Sequence, residues 1–347
     1  MRAAVVILNW NTAGQLRTFL PALVASCPAW SEVIVADNGS TDGSLDYVAQ
    51  AFPALRTIPL DRNYGFTGGY NRALEGLDAE YFVLINSDID VSPGWLEPLV
   101  EFMDADPSCG VCGPKLHALE KAPDGSWKRS SRFEYAGAAG GRIDRFGYPF
   151  CRGRVPGRTE EDTGQYDSSP ALMWISGACL LTRASLWRKL GGLDERFFAH
   201  MEEIDYCWRA QRLGYSVKLV PQSTVWHVGG GTLSPDSPYK LQLNYRNNLL
   251  LLQNNLPATL GRAGARRIIF WRKVLDGASA LVYLLSGKPA SFKAVVKAHR
   301  EAARLQKAPE PENVVPVSGY WKICIILQSL LRGKGIFKYL RNYEDSH

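Results

Sequence analysis

Two acidic groups and one distant histidine carry the chemistry that can be read from this sequence. Glu202, Glu203 and Asp205 lie within four residues, in the stretch Phe197-Phe198-Ala199-His200-Met201-Glu202-Glu203-Ile204-Asp205. Asn86-Ser87-Asp88-Ile89-Asp90 closes the apolar run Tyr81-Phe82-Val83-Leu84-Ile85. His227 follows far downstream, in Trp226-His227-Val228-Gly229-Gly230-Gly231. Asp88 and Asp90 offer hard oxygen ligands for Mg²⁺ or Mn²⁺, and an added imidazole tilts the choice toward Mn²⁺. Such an ion bridges a diphosphate, while one carboxylate of the separate cluster serves as a general base for a hydroxyl. On a helix the three acids 202, 203 and 205 do not all face one way, so at most two serve one site. The bland readings are a solvated turn for 86–90, an acidic first helical turn for 202–205 and a core histidine at 227.

The elements that must position these groups alternate in type. Strands are expected at 3–8, 32–36, 56–60 and 81–85, separated by helices at 12–26, 44–52 and 68–77. This order implies a parallel sheet with helices on both faces. In such sheets ligands bind beyond the carboxyl ends of the strands. The polar clusters fall there: Asn9-Trp10-Asn11, Asp37-Asn38, Asn63-Tyr64-Gly65-Phe66 and 86–90. Asp37 after the second strand can accept the imide N–H of a pyrimidine, or simply cap a turn. A helix is expected at 93–103, an excursion of loops and hairpins at 115–170, and strands at 175–182 and 217–220 around a helix at 183–190. Beyond residue 243 the chain changes to apolar helices at 268–285 and 321–331 bordered by Arg and Lys, with 308–312 as a linker.

Bulk properties set limits. The 347 residues exceed the usual size of one domain, and a hydrophobic fraction of 46% with 21% charged residues excludes a disordered chain. The net charge of +6 is uneven: from Arg262 onward there are 16 Lys and Arg against 6 Asp and Glu, a surplus of +10, leaving the remainder at −4. A basic tail on an acidic body suits an anionic lipid surface, or else packs on the body or a second copy. No nucleic-acid-reading motif accompanies it. The seven cysteines are odd in number and irregular in spacing, and Cys109-Gly-Val-Cys112 lacks the second pair that zinc needs. No signal peptide and no long apolar span are evident, so the expected compartment is the cytoplasm. The first strand is not followed by GxGxxG or by a lysine-containing phosphate loop, which argues against a dehydrogenase or a nucleotidyltransferase.

Taken in order, the motifs Val6-Ile7-Leu8-Asn9-Trp10-Asn11, Asp37-Asn38-Gly39-Ser40-Thr41-Asp42-Gly43-Ser44, Asn63-Tyr64-Gly65-Phe66-Thr67-Gly68-Gly69, the 86–90 turn, 202–209 and Trp226-His227 resemble family 2 glycosyltransferases. The resemblance covers about residues 3–250 and is nearest the rhamnosyltransferase-like branch, which builds bacterial surface polysaccharides. It implies an α/β GT-A fold with a Rossmann-like, mostly parallel sheet. The catalytic domain is expected at 1–250, its nucleotide-binding half at about 1–114 and its acceptor half at about 115–250. A basic helical region follows at 251–347. It implies an inverting enzyme dependent on Mn²⁺ or Mg²⁺. A sugar passes from a nucleoside-diphosphate donor of UDP or dTDP type, dTDP-rhamnose among them, to a glycan or lipid-linked acceptor.

Carried over by residue, Asn9, Asn11, Asp37, Asn38, Asn63, Gly68, Asn86 and Ser87 lie on the donor side, with Arg246 over the diphosphate. Asp88 matches the second acid of the family's Asp-x-Asp motif; its first acid is Asn86 here, with Asp90 as a compensating ligand. His227 matches the metal-binding histidine. Glu203 is the expected base, with Asp205 in reserve and Glu202 beside it. Trp174, Ser176 and Gly177 are expected along the acceptor cleft. A peripheral position at the inner face of the cytoplasmic membrane, and a possible homodimer, complete the expectation. The alternative is a non-catalytic nucleotide-sugar or glycan-binding protein on the same fold.

Overall fold

In the computed structural model, residues 1–229, 237–305 and 314–346 are described. The expected linker at 308–312 and Gly230 and Gly231 lie outside them. The order of strands and helices begins β1 (Ala3–Asn9), α1 (Ala13–Ser26), β2 (Ser31–Asp37), α2 (Ser44–Ala51), β3 (Arg56–Pro59), α3 (Gly65–Leu74) and β4 (Tyr81–Ile85). It continues with β5 (Ile89–Val91), α4 (Glu97–Ala105), β6 (Cys109–Lys121) and β7 (Trp127–Phe133). Four short strands follow: β8 (Gly141–Asp144), β9 (Pro149–Cys151), β10 (Arg154–Val155) and β11 (Arg158–Thr159). Then come β12 (Cys179–Arg183), α5 (Ala184–Leu190), α6 (Glu202–Arg212) and β13 (Ser216–His227). The chain ends with α7 (Pro238–Leu285), α8 (Pro289–Arg304), β14 (Tyr320–Trp321), α9 (Ile325–Arg332) and α10 (Ile336–Asp345).

The strands β3-β2-β1-β4 pair in parallel, and the sheet continues as β12-β6-β13-β5 with β7 on β6. The parallel half has the expected βαβ order. β12 then runs antiparallel to β4 and β6, which makes the sheet mixed. Successive strand side chains point to opposite faces, so β1 feeds two cores. Ala4 and Val6 pack with Ile34, Ala36 and Tyr70, whereas Val5 and Ile7 pack with Leu16, Leu20, Val33 and Val35. Burial on both sides explains why β1, β2 and β4 are almost uninterrupted apolar runs.

The region 115–170 is more ordered than the expected excursion. β6 extends to Lys121, and a second five-stranded sheet runs β11-β10-β9-β8-β14. The last of these strands comes from the C-terminal region, which therefore packs on the body. Glu344 on α10 pairs with Arg142 and with Arg152, whose side chains are almost wholly buried, and β14 pairs with β8. Residue 251 lies inside α7, whose helical geometry breaks at Gly261 (φ 71°, ψ 169°). All seven cysteines are free thiols.

Candidate active site

The residues expected on the donor side gather at the carboxyl ends of β1 and β2. Asn9 and Asp37 end their strands in register, and both are buried. Asn9 Nδ2 donates to Asp37 Oδ1 at 2.6 Å, and the Ser40 amide donates to Oδ2 at 2.9 Å. Asn11 (φ 55°) accepts from the Thr41 amide at 2.8 Å and fastens the two loops together. The adjacent Asn38 donates to Asn63 Oδ1 and Gly65 O and accepts from the Tyr64 amide. The structure thus brings Asn9, Asn11, Asp37, Asn38 and Asn63 into one hydrogen-bonded cluster. Gly68 lies in α3, which starts at Gly65 rather than at the expected residue 68. A Cβ on Gly68 would come within 3.0 Å of Tyr64 and Arg72.

A second pole forms where the 86–90 turn meets the end of β13. The β5–β13 ladder pairs His227 with Ile89 and Trp226 with Asp90. His227 Nε2 lies 3.2 Å from Asp88 Oδ1 and 3.5 Å from Asn86 Nδ2. Its Nδ1 is 3.3 Å from Glu134 Oε2, just past the end of β7. Burial lowers the proton affinity of the imidazole, but Asp88 and Glu134 overcome this and raise its pKa to about 10. Strand alternation puts Asp90 on the face of Trp226, opposite His227. There both Asp90 oxygens are taken by Arg129, at 2.6 and 3.2 Å. Ser87 is half-buried in the turn.

Among the described residues no three His, Cys, Asp or Glu side chains form a complete metal cage. With the Nε2 proton displaced, Asp88 and His227 Nε2 would fit a divalent ion that takes its remaining ligands from substrate phosphates and water, the usual arrangement for Mg²⁺.

The acidic cluster begins α6, and its three carboxylates have different surroundings. Asp205 is fully buried, and its oxygens accept from Arg209 Nε at 2.6 Å and from Asn255 Nδ2 at 2.7 Å. It joins α6 to α7. Glu202 is also buried, with Oε2 unpartnered; desolvation and the neighbouring Glu203 push its pKa well above the carboxylate range. Glu203 is half-buried, and its Oε2 is sealed without a partner. Desolvation raises its pKa to about 7, against the pull of the helix-start amides and Arg154. A Cβ on Gly177 would sit 3.5 Å from the Cβ of Glu203 and 3.3 Å from the Phe66 ring, so this glycine packs closely against the Glu203 side chain.

The other expected acceptor residues diverge. Ser176 is buried, and its hydroxyl accepts from the Ala178 amide. Trp174 is a core residue, 2% exposed, with its indole N–H on Arg142 O and its ring against Gly141. Arg246 donates to the carbonyls of Phe197, at 2.7 Å, and Arg196. In this structure it braces the chain leading to Glu203.

Sequence reasoning missed Glu134, which it placed in an irregular excursion, and the part played by Asn247. The φ-positive residues Phe198, His200 and Met201 gave no sequence signal, since none is glycine. His200 is pushed down to about 4 by burial and Lys240, so it is neutral at pH 7.

Comparison with known proteins establishes the family and the fold. Residues 4–157 match the family model "Glycosyl transferase family 2". An N-acetylglucosaminyl-diphospho-decaprenol L-rhamnosyltransferase of Mycobacterium tuberculosis is 30% identical over 260 residues, 72% of this chain and 83% of the relative. S. aureus TarS, solved as residues 1–349 in complex with UDP-GlcNAc, superposes with a TM-score of 0.56 at 16% identity, covering 87% of this chain and 82% of that one. The Pyrobaculum calidifontis mannosyltransferase PcManGT, solved with GDP-Man and Mn²⁺, gives a TM-score of 0.51 at 15% identity, covering 99% and 82%. The fold is that of the GT-A glycosyltransferases, and the chain belongs to glycosyltransferase family 2.

Proposed function

We propose that this glycosyltransferase is an inverting, metal-dependent enzyme of bacterial surface-polysaccharide synthesis. It transfers a sugar from a UDP- or dTDP-linked donor, dTDP-rhamnose foremost, to a hydroxyl of a lipid-linked glycan. The observation that carries the reading is Glu203 at the start of α6: a carboxylate beside Gly177 with one sealed, unpartnered oxygen and a pKa raised to about 7, in a fold whose sheet also presents the Asp37 cluster and the Asp88–His227 pole. A base works best when its pKa lies near the working pH.

Asp37, fixed by Asn9 and the Ser40 amide, offers a remaining lone pair to the imide of the pyrimidine. Asn86 offers its amide to the donor ribose or sugar. A divalent cation bound by Asp88 and His227 Nε2 would supply charge neutralisation to the diphosphate. The Glu203 carboxylate takes the proton of the acceptor hydroxyl. The acceptor oxygen then bonds to the anomeric carbon from the face opposite the diphosphate. The carbon–oxygen bond to phosphate breaks, its electron pair leaves with the diphosphate, and configuration inverts. The relative named above supports a rhamnosyl donor and a lipid diphosphate acceptor. No described helix is long and apolar enough to cross a membrane. The reading places the basic C-terminal region on the membrane surface because α7 exposes Phe270, Trp271, Leu281 and Val282 in a region rich in Lys and Arg.

The test is thermal stabilisation by UDP, dTDP, GDP and CDP with and without Mn²⁺, since a ligand of the native state raises apparent stability by mass action. A Mn²⁺-dependent shift with UDP or dTDP, absent in Asp88→Asn and His227→Gln, is expected. Equal shifts with and without Mn²⁺ overturn the metal dependence, and no shift with any nucleotide overturns the donor site.

A further inference from the structure

The segment that delivers Glu203 is held in an unfavourable backbone conformation. Phe198, His200 and Met201 have φ of 64°, 73° and 73°, although all three carry side chains. Such residues cost of order 1–3 kcal/mol each and persist only where their surroundings over-determine them. Asn247 supplies much of that determination. It is fully buried on the first half of α7, and its one amide group donates to the carbonyls of Phe197, Ala199 and His200 at 2.9, 2.7 and 2.7 Å. Arg246 adds a second contact to Phe197 O. From the other side, the first amides of α3 close on the same segment, with Phe66 and Thr67 donating to Phe198 O at 2.7 and 3.2 Å. Gly65 lets them approach, because a Cβ there would lie 2.6 Å from Phe198 O.

We propose that Asn247 is a positioning residue for the reaction: its amide gathers three carbonyls of the strained 197–200 segment and thereby fixes where the start of α6 presents Glu203, beside Gly177. The inference rests on the reading of Glu203 as the base. Asn247 itself acts only through the segment it holds. A bare packing role would require one good hydrogen bond, whereas this side chain places its two N–H groups among three acceptors. An isosteric aspartate removes both donors and sets a carboxylate against those carbonyls. A serine retains one donor.

The experiment compares full-length wild type with Asn247→Ala, Asn247→Ser, Asn247→Asp and Glu203→Gln. Nucleoside-diphosphate release is measured from a panel of UDP- and dTDP-sugars with a lipid-diphosphate-linked glycan acceptor. Misplacement of a reacting group by about 1 Å costs roughly a hundredfold in rate. The expected result is a kcat lower by about that factor in Asn247→Ala and Asn247→Asp, with donor KM within about twofold. The acid limb of kcat moves away from its wild-type position, and Asn247→Ser recovers part of the loss. A merely structural residue would lower the melting temperature while leaving kcat per folded molecule and the pH profile unchanged, and that result overturns the proposal. If Asn247→Ala does not fold, Asn247→Ser carries the same test. Full turnover in Glu203→Gln overturns the base reading and this proposal with it. Loss of turnover there, with wild-type behaviour in every Asn247 variant, overturns this proposal alone.

Discussion

Glu203 and Asp205 stand two positions apart on one helix, and their surroundings predict opposite responses to neutral replacement. Asp205 is a buried partner of Arg209 and Asn255. Removing one member of a buried pair costs about 3–5 kcal/mol, because the other charge is left uncompensated. Arg209 keeps 19% side-chain exposure, so the lower end applies to Asp205→Ala, about 3 kcal/mol. At about 2 °C per kcal/mol in a chain of this size, that is a fall of roughly 6 °C in melting temperature.

Glu203 behaves in the reverse sense. Its folded pKa of about 7 exceeds the ordinary 4.5, so the native state binds the proton more tightly than the unfolded one. The resulting penalty on the folded state is absent below about pH 4.5, grows between there and 7, and reaches up to about 3 kcal/mol above pH 7. Glu203→Gln removes it. That variant is expected to melt no lower than wild type at pH 8, to match it near pH 5, and to lose turnover. Asp205→Asn keeps the shape and is expected to retain turnover within about tenfold while melting lower. The assay is calorimetric melting at pH 5 and pH 8 beside nucleoside-diphosphate release. If Asp205→Asn melts like wild type and loses turnover, while Glu203→Gln keeps it, the two roles are exchanged and the reasoning from burial fails.

Three further outcomes follow from the same geometry. The acid limb of kcat/KM should fall near pH 7, so activity drops about fivefold from pH 7 to pH 6; a profile flat across that range removes Glu203 as the titrating base. Gly65→Ala forces a Cβ toward Phe198 O at a φ of +72°, and should lower kcat by displacing the base segment while nucleotide binding persists; an unchanged kcat refutes the coupling of α3 to that segment. Co-sedimentation with anionic phospholipid vesicles, but not with neutral ones, is expected for the intact chain and is reduced at least tenfold by Phe270→Glu with Trp271→Glu; equal binding by that variant removes α7 as the contact.

Local sequence determined the parallel half of the sheet and the position of its ligand edge. Apolar runs at 3–8, 32–36 and 81–85 read as buried strands between helices, and the polar residues that follow them then line the crevice. The Asn9–Asp37 cluster was legible for that reason. Sequence also singled out Asp88, His227 and the 202–205 cluster by residue type. Residue type alone did not rank the members of each group; only the family resemblance put Glu203 ahead of Asp205. Asp205 is structural because Asn255, fifty residues away, reaches it across the α6–α7 contact. Asp90 is turned aside because β5 pairs with β13 in a register that gives the inner face to His227, and Arg129 then takes its carboxylate. Glu134 reaches the Nδ1 of His227 only because β7 folds back on β6. Arg246 and Asn247 brace the base segment because α7 crosses above it. Element type is set by the periodicity of neighbouring residues. The task of a buried polar group is set by partners remote in sequence, which only the tertiary structure brings within hydrogen-bonding distance.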